Sequence, residues 1–304
     1  MWFWFFEARN KPREAPLALY LNGGPGCSSE IGIFQENGPC HFIANNTEPT
    51  LNPYSWNEYA NMIYIDQPFG TGFSEGITEG MEGINMTVAA APHVWTFMQA
   101  FLDNFQEYTS RDFGLFTESY GGHYGPAFAD YFLGQNDKIH EGLISGHQIN
   151  LIALGINNPW IDPTAQFKAY ATYAYENPYK QLINESLYEH FLNLYEERCV
   201  PLLNKCTETT GQMEACANAS LTCNTIMYDE LIEASGLDFG VNDLRIGSED
   251  VDPSEIYVDY LNRAEVRKKI GARKEFEECN LETFYKFGDT GDGNPQPSVN
   301  RDVC

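Results

Sequence analysis

The stretch Leu115-Phe116-Thr117-Glu118-Ser119-Tyr120-Gly121-Gly122-His123-Tyr124-Gly125-Pro126 constrains this chain most. An apolar, strand-forming run ends there, a serine follows among turn-prone neighbours, and a helical pattern begins almost at once. A turn of this kind is a nucleophile elbow. It holds the serine Oγ out at the end of a sheet, with the first backbone N–H groups of the helix available to a developing oxyanion. The plainer alternative is a strand-to-helix turn that happens to contain serine, and Thr117 stands where the pattern expects glycine. The remaining stretches have to decide between the two.

From the N-terminus, an aromatic strand over Trp2 to Glu7 leads through a turn (Asn10 to Pro16) into the β-rich run Leu17 to Leu21, which predicts a hairpin. That run empties into Asn22-Gly23-Gly24-Pro25-Gly26-Cys27-Ser28-Ser29. A loop of this composition exposes backbone N–H groups, as an oxyanion hole or anion nest requires, although Gly-Gly-Pro-Gly is also found in tight solvent loops. After the turn Asn52 to Asn57, the run Met62 to Asp66 predicts a central strand covered on both sides. Gly70, Gly72 and Gly76 follow at its C-terminal end, where open α/β sheets bind ligands. Val94, Phe97, Met98, Phe101, Leu102 and Phe105 have the three-and-four spacing of an amphipathic helix within Val88 to Phe105. Phe113 to Thr117 reads as a strand, Ser119 opens a helix to about Leu133, and Ile149 to Ile156 reads as the next strand. This βαβ alternation predicts an α/β fold with a largely parallel sheet.

The character changes from about Pro163 to Asp250. Phe167 to Tyr175 and Glu185 to Glu197 have helical spacing, and Cys199, Cys206, Cys216 and Cys223 cluster there. Their separations lack the gaps of about two to four residues usual at structural zinc, which favours disulfides over a metal site. After Pro253 a helix over Ser254 to Leu261 leads into Ala264 to Ile270 and a Gly/Pro-rich tail ending at Cys304. The reading divides the chain into 1–162, the first part of an α/β core; 163–250, a helical insertion; and 251–304, a return to the core.

Charge narrows the function. Eighteen Lys and Arg against 43 Asp and Glu leave a net charge of −25, which repels nucleic-acid phosphates and anionic membranes. Such acidity also suits work at low pH, where carboxylates protonate and self-repulsion falls. No apolar run has the length of a membrane span. Met1 to Glu7 has neither the basic region nor the cleavage site of a signal peptide, and a chain starting inside an aromatic strand is expected to have lost something upstream. Eight cysteines and the sequons at Asn45, Asn85, Asn184 and Asn218 point to the secretory pathway, either vacuolar or lysosomal or extracellular.

Five ordered strings now carry a resemblance: LYLNGGPGCSS (Leu19 to Ser29), NPYSW (Asn52 to Trp56), IYIDQPFGTGFS (Ile63 to Ser74), ESYGGHY (Glu118 to Tyr124) and GINNPWIDP (Gly155 to Pro163). From Trp2 to about Phe287 the chain resembles the serine carboxypeptidase family, in its fungal, carboxypeptidase Y-like branch. The resemblance implies an α/β-hydrolase fold with a disulfide-stapled helical cap, its C-terminal part missing here. It implies Ser119 as nucleophile, the N–H groups of Gly24 and Tyr120 as oxyanion hole, and Asn22, Gly23, Glu36 and Glu118 as receptors of a peptide's terminal carboxylate. Two glutamates can face a carboxylate only if a proton is shared, so exopeptidase specificity and an acidic optimum would come from one cluster. Read without the resemblance, Glu36 is a solvated helix residue. Tyr20 stands where many relatives have Trp, which leaves that wall of the carboxylate pocket open.

The resemblance further implies disulfides Cys27–Cys279, Cys199–Cys223 and Cys206–Cys216, and gives Cys40 and Cys304 no partner. The family's late Asp and His are not recognisable. The six histidines are His41, His93, His123, His140, His147 and His190; His123, one helical turn past Ser119, is expected to lie away from its Oγ. The chain is thus expected to be a fragment truncated at both ends, or a processed enzyme whose second chain supplies Asp and His. The expected function is a serine-type carboxypeptidase using an acyl-enzyme, without cofactor or metal, on peptides with a free C-terminal carboxylate. A related acyltransferase and a non-catalytic binding remnant are the alternatives.

Overall fold

The computed structural model describes residues 1–43, 46–75, 84–208, 213–240, 243–247 and 256–290. These fall into two compact units, one within Met1–Pro159 and Pro253–Lys286, the other within Trp160–Asp252 and Phe287–Asn300. The first unit begins with β1 (Phe3–Phe6), β2 (Leu17–Leu21), α1 (Glu30–Gln35), the small pair β3 (Cys40–His41) and β4 (Thr50–Leu51), and β5 (Asn61–Ile65). It continues with α2 (Thr87–Asn104), β6 (Asp112–Glu118), α3 (Gly121–His140) and β7 (Asn150–Asn157).

The main sheet has the order β1-β5-β2-β6-β7. All its pairings are parallel except β1 with β5. The α/β reading therefore holds, and β2, β5 and the middle of β6 are buried as apolar central strands should be. The expected hairpin does not form: β5 lies between β1 and β2. Asn61, fully buried at the start of β5, is the physical reason. Its Oδ1 accepts Ala8 N at 2.9 Å, while its Nδ2 donates to the carbonyls of Pro12 at 3.0 Å and Ala15 at 3.1 Å. The connection between β1 and β2 thus wraps the end of β5 instead of closing a tight turn.

Paired residues of parallel strands share a face, so the register sorts the core. Leu17, Leu19 and Leu21 share one face with Ile63, Phe113 and Leu115, and Phe113 meets Phe132 of α3 at 6.3 Å. Ala18, Tyr20, Met62 and Tyr64 point the other way, into a cluster with Ile33 and Phe34 of α1 and with Phe73 and Phe276. Each large apolar side chain so buried contributes about 1.5–3 kcal/mol. Helix α3 runs to His140, beyond the expected Leu133, because Gln135 still packs inward and Gly134 has no conflict with its surroundings.

The second unit is helical in its described residues: α4 (Pro163–Tyr175), α5 (Glu185–Leu194), α6 (Val200–Glu208), α7 (Met213–Asn224) and α8 (Glu230–Ser235), with π turns at Tyr195–Cys199 and Thr225–Asp229. Asp162 starts α4 by accepting Thr164 N at 3.0 Å, with Pro163 in the first turn, where its missing N–H costs nothing. Phe167, Ala171 and Ala174 then form the buried stripe of α4, facing Phe191, Tyr195, Leu203 and Met227. The chain then gives α9 (Ile256–Leu261), α10 (Ala264–Ile270) and α11 (Leu281–Thr290). No helix among the described residues is long and apolar enough to cross a membrane.

Among the described residues two disulfides are present, Cys27–Cys279 and Cys206–Cys216. The expected Cys199–Cys223 bond is not formed. Both cysteines are buried and face each other without a disulfide bond between them. Cys40 is a half-buried free thiol, and Cys304 lies outside the described residues.

Candidate active site

Two neighbouring strands deliver the site. Because Leu21 pairs with Thr117 and Tyr20 with Phe116, the next residues, Asn22 and Glu118, leave the sheet side by side. A two-residue period puts Tyr20 and Asn22 on one face, with Phe116 and Glu118 beside them. That face meets α1, after which Glu36 ends the helix. A one-residue slip of register would send all four groups to the other side.

Ser119 follows Glu118 as an exposed residue at φ 57°, a left-handed conformation that a non-glycine side chain holds at a cost of about 1–3 kcal/mol. The turn is held on both sides, by Ser119 N donating to Asn157 O at 3.2 Å and Gly122 N donating to Ser119 O at 2.9 Å. Thr117 fits in place of glycine because the following glycines give it room. A Cβ on Gly121 would lie 2.6 Å from Thr117 Cβ, and one on Gly125 would lie 2.8 Å from its Oγ1. The Thr117 hydroxyl also donates to Gly121 O at 2.7 Å.

The glycine-rich loop after β2 lies against this elbow. A Cβ on Gly23 would come 2.5 Å from Tyr120 N and 2.7 Å from Glu118 O, so only glycine permits this approach, and Gly24 follows at φ 108°. The loop's far end is anchored by the Cys27–Cys279 bond, by Ser28 N donating to Glu278 O and by Asn280 N donating to Gly26 O, both at 2.8 Å.

Asn22, 4 % exposed, uses both hydrogens of its amide on the glutamates, donating to Glu36 Oε1 at 3.0 Å and Glu118 Oε2 at 2.9 Å. Its Oδ1 accepts Gly32 N at 2.9 Å, which fixes the amide's orientation. Glu36 is therefore no solvated helix residue. Burial, then the hydrogen bond and charge of Glu118, push its carboxyl up to about 8, against the pull of the Tyr20 and Asn22 donors. The Tyr20 hydroxyl, missed from sequence except as a wall, reaches Glu36 Oε2 at 2.5 Å and Glu118 Oε2 at 2.9 Å. The signal was its two-residue spacing from Asn22. The side chains expected to receive a carboxylate thus lie together: Asn22 just after β2, Glu118 at the end of β6 and Glu36 at the end of α1.

A second carboxyl pair also escaped sequence reading. Ser28 Oγ hydrogen-bonds Glu30 and lies 2.6 Å from Asp66 Oδ1, both fully buried. Trp4 Nε1 donates to Glu30 Oε1 at 3.0 Å, and Phe73 N to Asp66 Oδ2 at 2.7 Å. Burial raises both carboxyls above their ordinary range, with the Asp66 charge adding to the effect on Glu30.

Of the histidines near the elbow, His123 has its ring 5.1 Å from that of Tyr120, and His41 Nε2 hydrogen-bonds Glu36 O at 2.8 Å. Of the sequon asparagines, Asn184 and Asn218 are exposed on the helical unit, Asn85 is half-buried and Asn45 lies outside the described residues. Among the described residues no group of His, Cys, Asp and Glu has the arrangement to hold a metal ion.

Comparison with known proteins shows the family. Residues 1–300 match the family described as serine carboxypeptidase. Carboxypeptidase S1 of Penicillium janthinellum is 50% identical over 299 residues, covering 97% of this chain and 68% of that protein. Carboxypeptidase Y of Schizosaccharomyces pombe is 35% identical over 302 residues, 96% of this chain and 29% of its own length. The crystal structure of a prohormone-processing carboxypeptidase from Saccharomyces cerevisiae superposes with a TM-score of 0.76 at 27% identity, covering 95% of this chain and 63% of that one. The chain thus spans about two thirds of two of these relatives and under a third of the other. With a strained serine elbow, a glycine loop pressed against it and a paired-glutamate cluster alongside, the chain belongs to the serine carboxypeptidase family.

Proposed function

We propose that this protein acts as an acid-acting serine carboxypeptidase, which removes C-terminal amino acids from peptides through an acyl-enzyme. The observation that carries the reading is Ser119 at φ 57° directly after Glu118, whose carboxyl shares Asn22 and Tyr20 with Glu36. Ser119 Oγ attacks the scissile carbonyl carbon and its proton passes to a base. The N–H groups of Gly24 and Tyr120 receive the oxyanion; the C–N bond then breaks and the leaving amine takes the proton. Water then repeats the sequence on the ester. The terminal carboxylate is held by Gly23 N–H and a protonated carboxyl of the Glu36–Glu118 pair, which the Asn22 amide orients, and this ties binding to acid.

A second chain, in this reading, supplies the His and Asp of the triad. In this reading 1–162 and 251–304 are core and 163–250 is cap. The oxidised protein closes a Cys199–Cys223 bridge, with glycans on the sequon asparagines and a vacuolar, lysosomal or extracellular destination.

The test is active-site labelling of the natural protein with a fluorophosphonate at about pH 5, with intact mass and a Ser119→Ala control. The expected result is one label on Ser119, a His-bearing polypeptide in the same preparation, and loss of about a millionfold in turnover in Ser119→Ala. A correctly folded protein with Ser119 unlabelled would leave binding as the function. Acyl transfer to an added alcohol in preference to water would make it an acyltransferase.

A further inference from the structure

The two disulfides differ in what can reach them. Cys206 on α6 and Cys216 on α7 stand 10 residues apart and are 0 % and 3 % exposed. Cys27 and Cys279 stand 252 residues apart, with Cys27 half-buried and Cys279 exposed. A thiolate in solution therefore reaches the Cys27–Cys279 bond at Cys279 Sγ, and reaches the other bond only after its helices open. The far half of the glycine-rich loop has fastenings of its own: Ser29 Oγ donates to Ile65 O at 2.6 Å, and Ser28 Oγ lies 2.6 Å from Asp66 Oδ1. The near half leans on the bond. Gly24 at φ 108° and Gly26 at φ 90° hold left-handed conformations, and a Cβ on Gly24 would lie 3.1 Å from Cys27 Sγ. That sulfur thus packs against the residue read as an oxyanion donor. Gly26 O accepts from Asn280 N at 2.8 Å, one residue beyond Cys279, so the late segment sets the donor loop at adjacent points.

We propose that Cys27–Cys279 is a thiol-exchange site through which a dithiol reductant switches off the oxyanion loop. The inference rests on the reading of Gly24 as an oxyanion donor. One thiolate of the dithiol attacks Cys279 Sγ, and the S–S bond breaks with Cys27 leaving as a thiolate that takes up a proton. The dithiol's second thiol, losing its proton, attacks its partner sulfur in the mixed disulfide, and Cys279 leaves and is protonated in turn. The dithiol ends as a disulfide, and the two cysteines have gained its two electrons and two protons. Two thiols cannot keep bonded contact, so Cys27 Sγ leaves its place against Gly24. A shift of a fraction of an ångström weakens a donor whose worth depends on alignment. The contacts of Ser28 and Ser29 with Asp66 and Ile65 keep the rest of the loop in place, so the change stays local. The free thiols do not compete for the bond: Cys199 and Cys223 are buried, and burial pushes the half-buried Cys40 thiol up, which lowers its thiolate fraction.

The experiment titrates the natural protein with dithiothreitol at about pH 8. Freed thiols are trapped with iodoacetamide and located by peptide mass, while untrapped samples give the rate of fluorophosphonate labelling at Ser119 and the near-UV circular dichroism. Cys27 and Cys279 are expected to be alkylated while Cys206 and Cys216 stay bridged. In the same samples Ser119 labelling is expected to slow about tenfold or more with the dichroism retained, and to recover on reoxidation. The double substitution Cys27→Ser with Cys279→Ser is expected to label at the slow rate and to ignore the dithiol. Labelling at the parent rate with the Cys27–Cys279 bond fully reduced overturns the inference, as does reduction of Cys206–Cys216 first. Dichroism lost together with labelling also overturns it and marks the bond as a structural staple. If the double variant does not fold, the reduction series on the parent protein decides. An oxidised parent protein with Ser119 unlabelled overturns the proposed function itself.

Discussion

At the scale of single residues, the site depends on close approach more than on charge. Gly23 shows this best, since any Cβ there meets the backbone of Tyr120 and Glu118, which cannot move without moving Ser119. We expect Gly23→Ala to slow fluorophosphonate labelling of Ser119 by about a hundredfold, because displacing the loop by a fraction of an ångström misaligns the oxyanion donors. Labelling at the parent rate would show that the approach is not needed. Ser119, Gly24, Glu118 and Asn22 were legible in the sequence because each lies in a short motif whose backbone demands are unusual. The Tyr20 hydroxyl was not, because its partners are 16 and 98 residues away, and the β2–β6 register brings Glu118 into reach while the packing of α1 against Tyr20 brings Glu36.

At the scale of elements, periodicity located the strands and helices, and capping chemistry fixed some of their ends. Asp162 is a clear case: an exposed N-cap whose Oδ1 accepts Thr164 N and Ala165 N ahead of α4. Asp162→Ala is expected to destabilise the helical unit by about 1 kcal/mol, read as a lower unfolding midpoint with Ser119 labelling unchanged. A midpoint equal to the parent's would show that Pro163 and the buried Phe167 stripe start the helix unaided. Sequence failed at the β1–β2 hairpin. Strand patterns specify faces but not neighbours, and the buried Asn61 that inserts β5 there resembles any polar residue at a strand start.

At the scale of the molecule, buried carboxyls give stability a direction with pH. Glu30, Asp66 and Glu36 all have native values raised by burial, Glu36 to about 8 from an ordinary 4.5. The native state therefore binds more protons than the unfolded one above about pH 4.5, and stability falls as pH rises through the native value. The net charge of −25 works in the same direction through self-repulsion. Thermal unfolding is expected to show a higher midpoint at about pH 5 than at about pH 8. Glu30→Gln, which removes one buried titration and almost none of the surface charge, is expected to flatten that slope. A variant with the parent's full slope would show that Glu30 contributes none of it.

The sequence by itself determined the α/β class, the serine elbow, the glycine loop and the helical character of the cysteine-rich segment. All are local, encoded by apolar period, glycine placement and turn chemistry over a few residues at a time. Tertiary structure alone decided the strand order, the bridging of Glu36 and Glu118 by Tyr20 and Asn22, and the burial of Glu30 against Asp66. Those depend on register and on what a side chain meets across the sheet. A carboxyl's proton affinity is set by that surrounding and not by its neighbours in the chain.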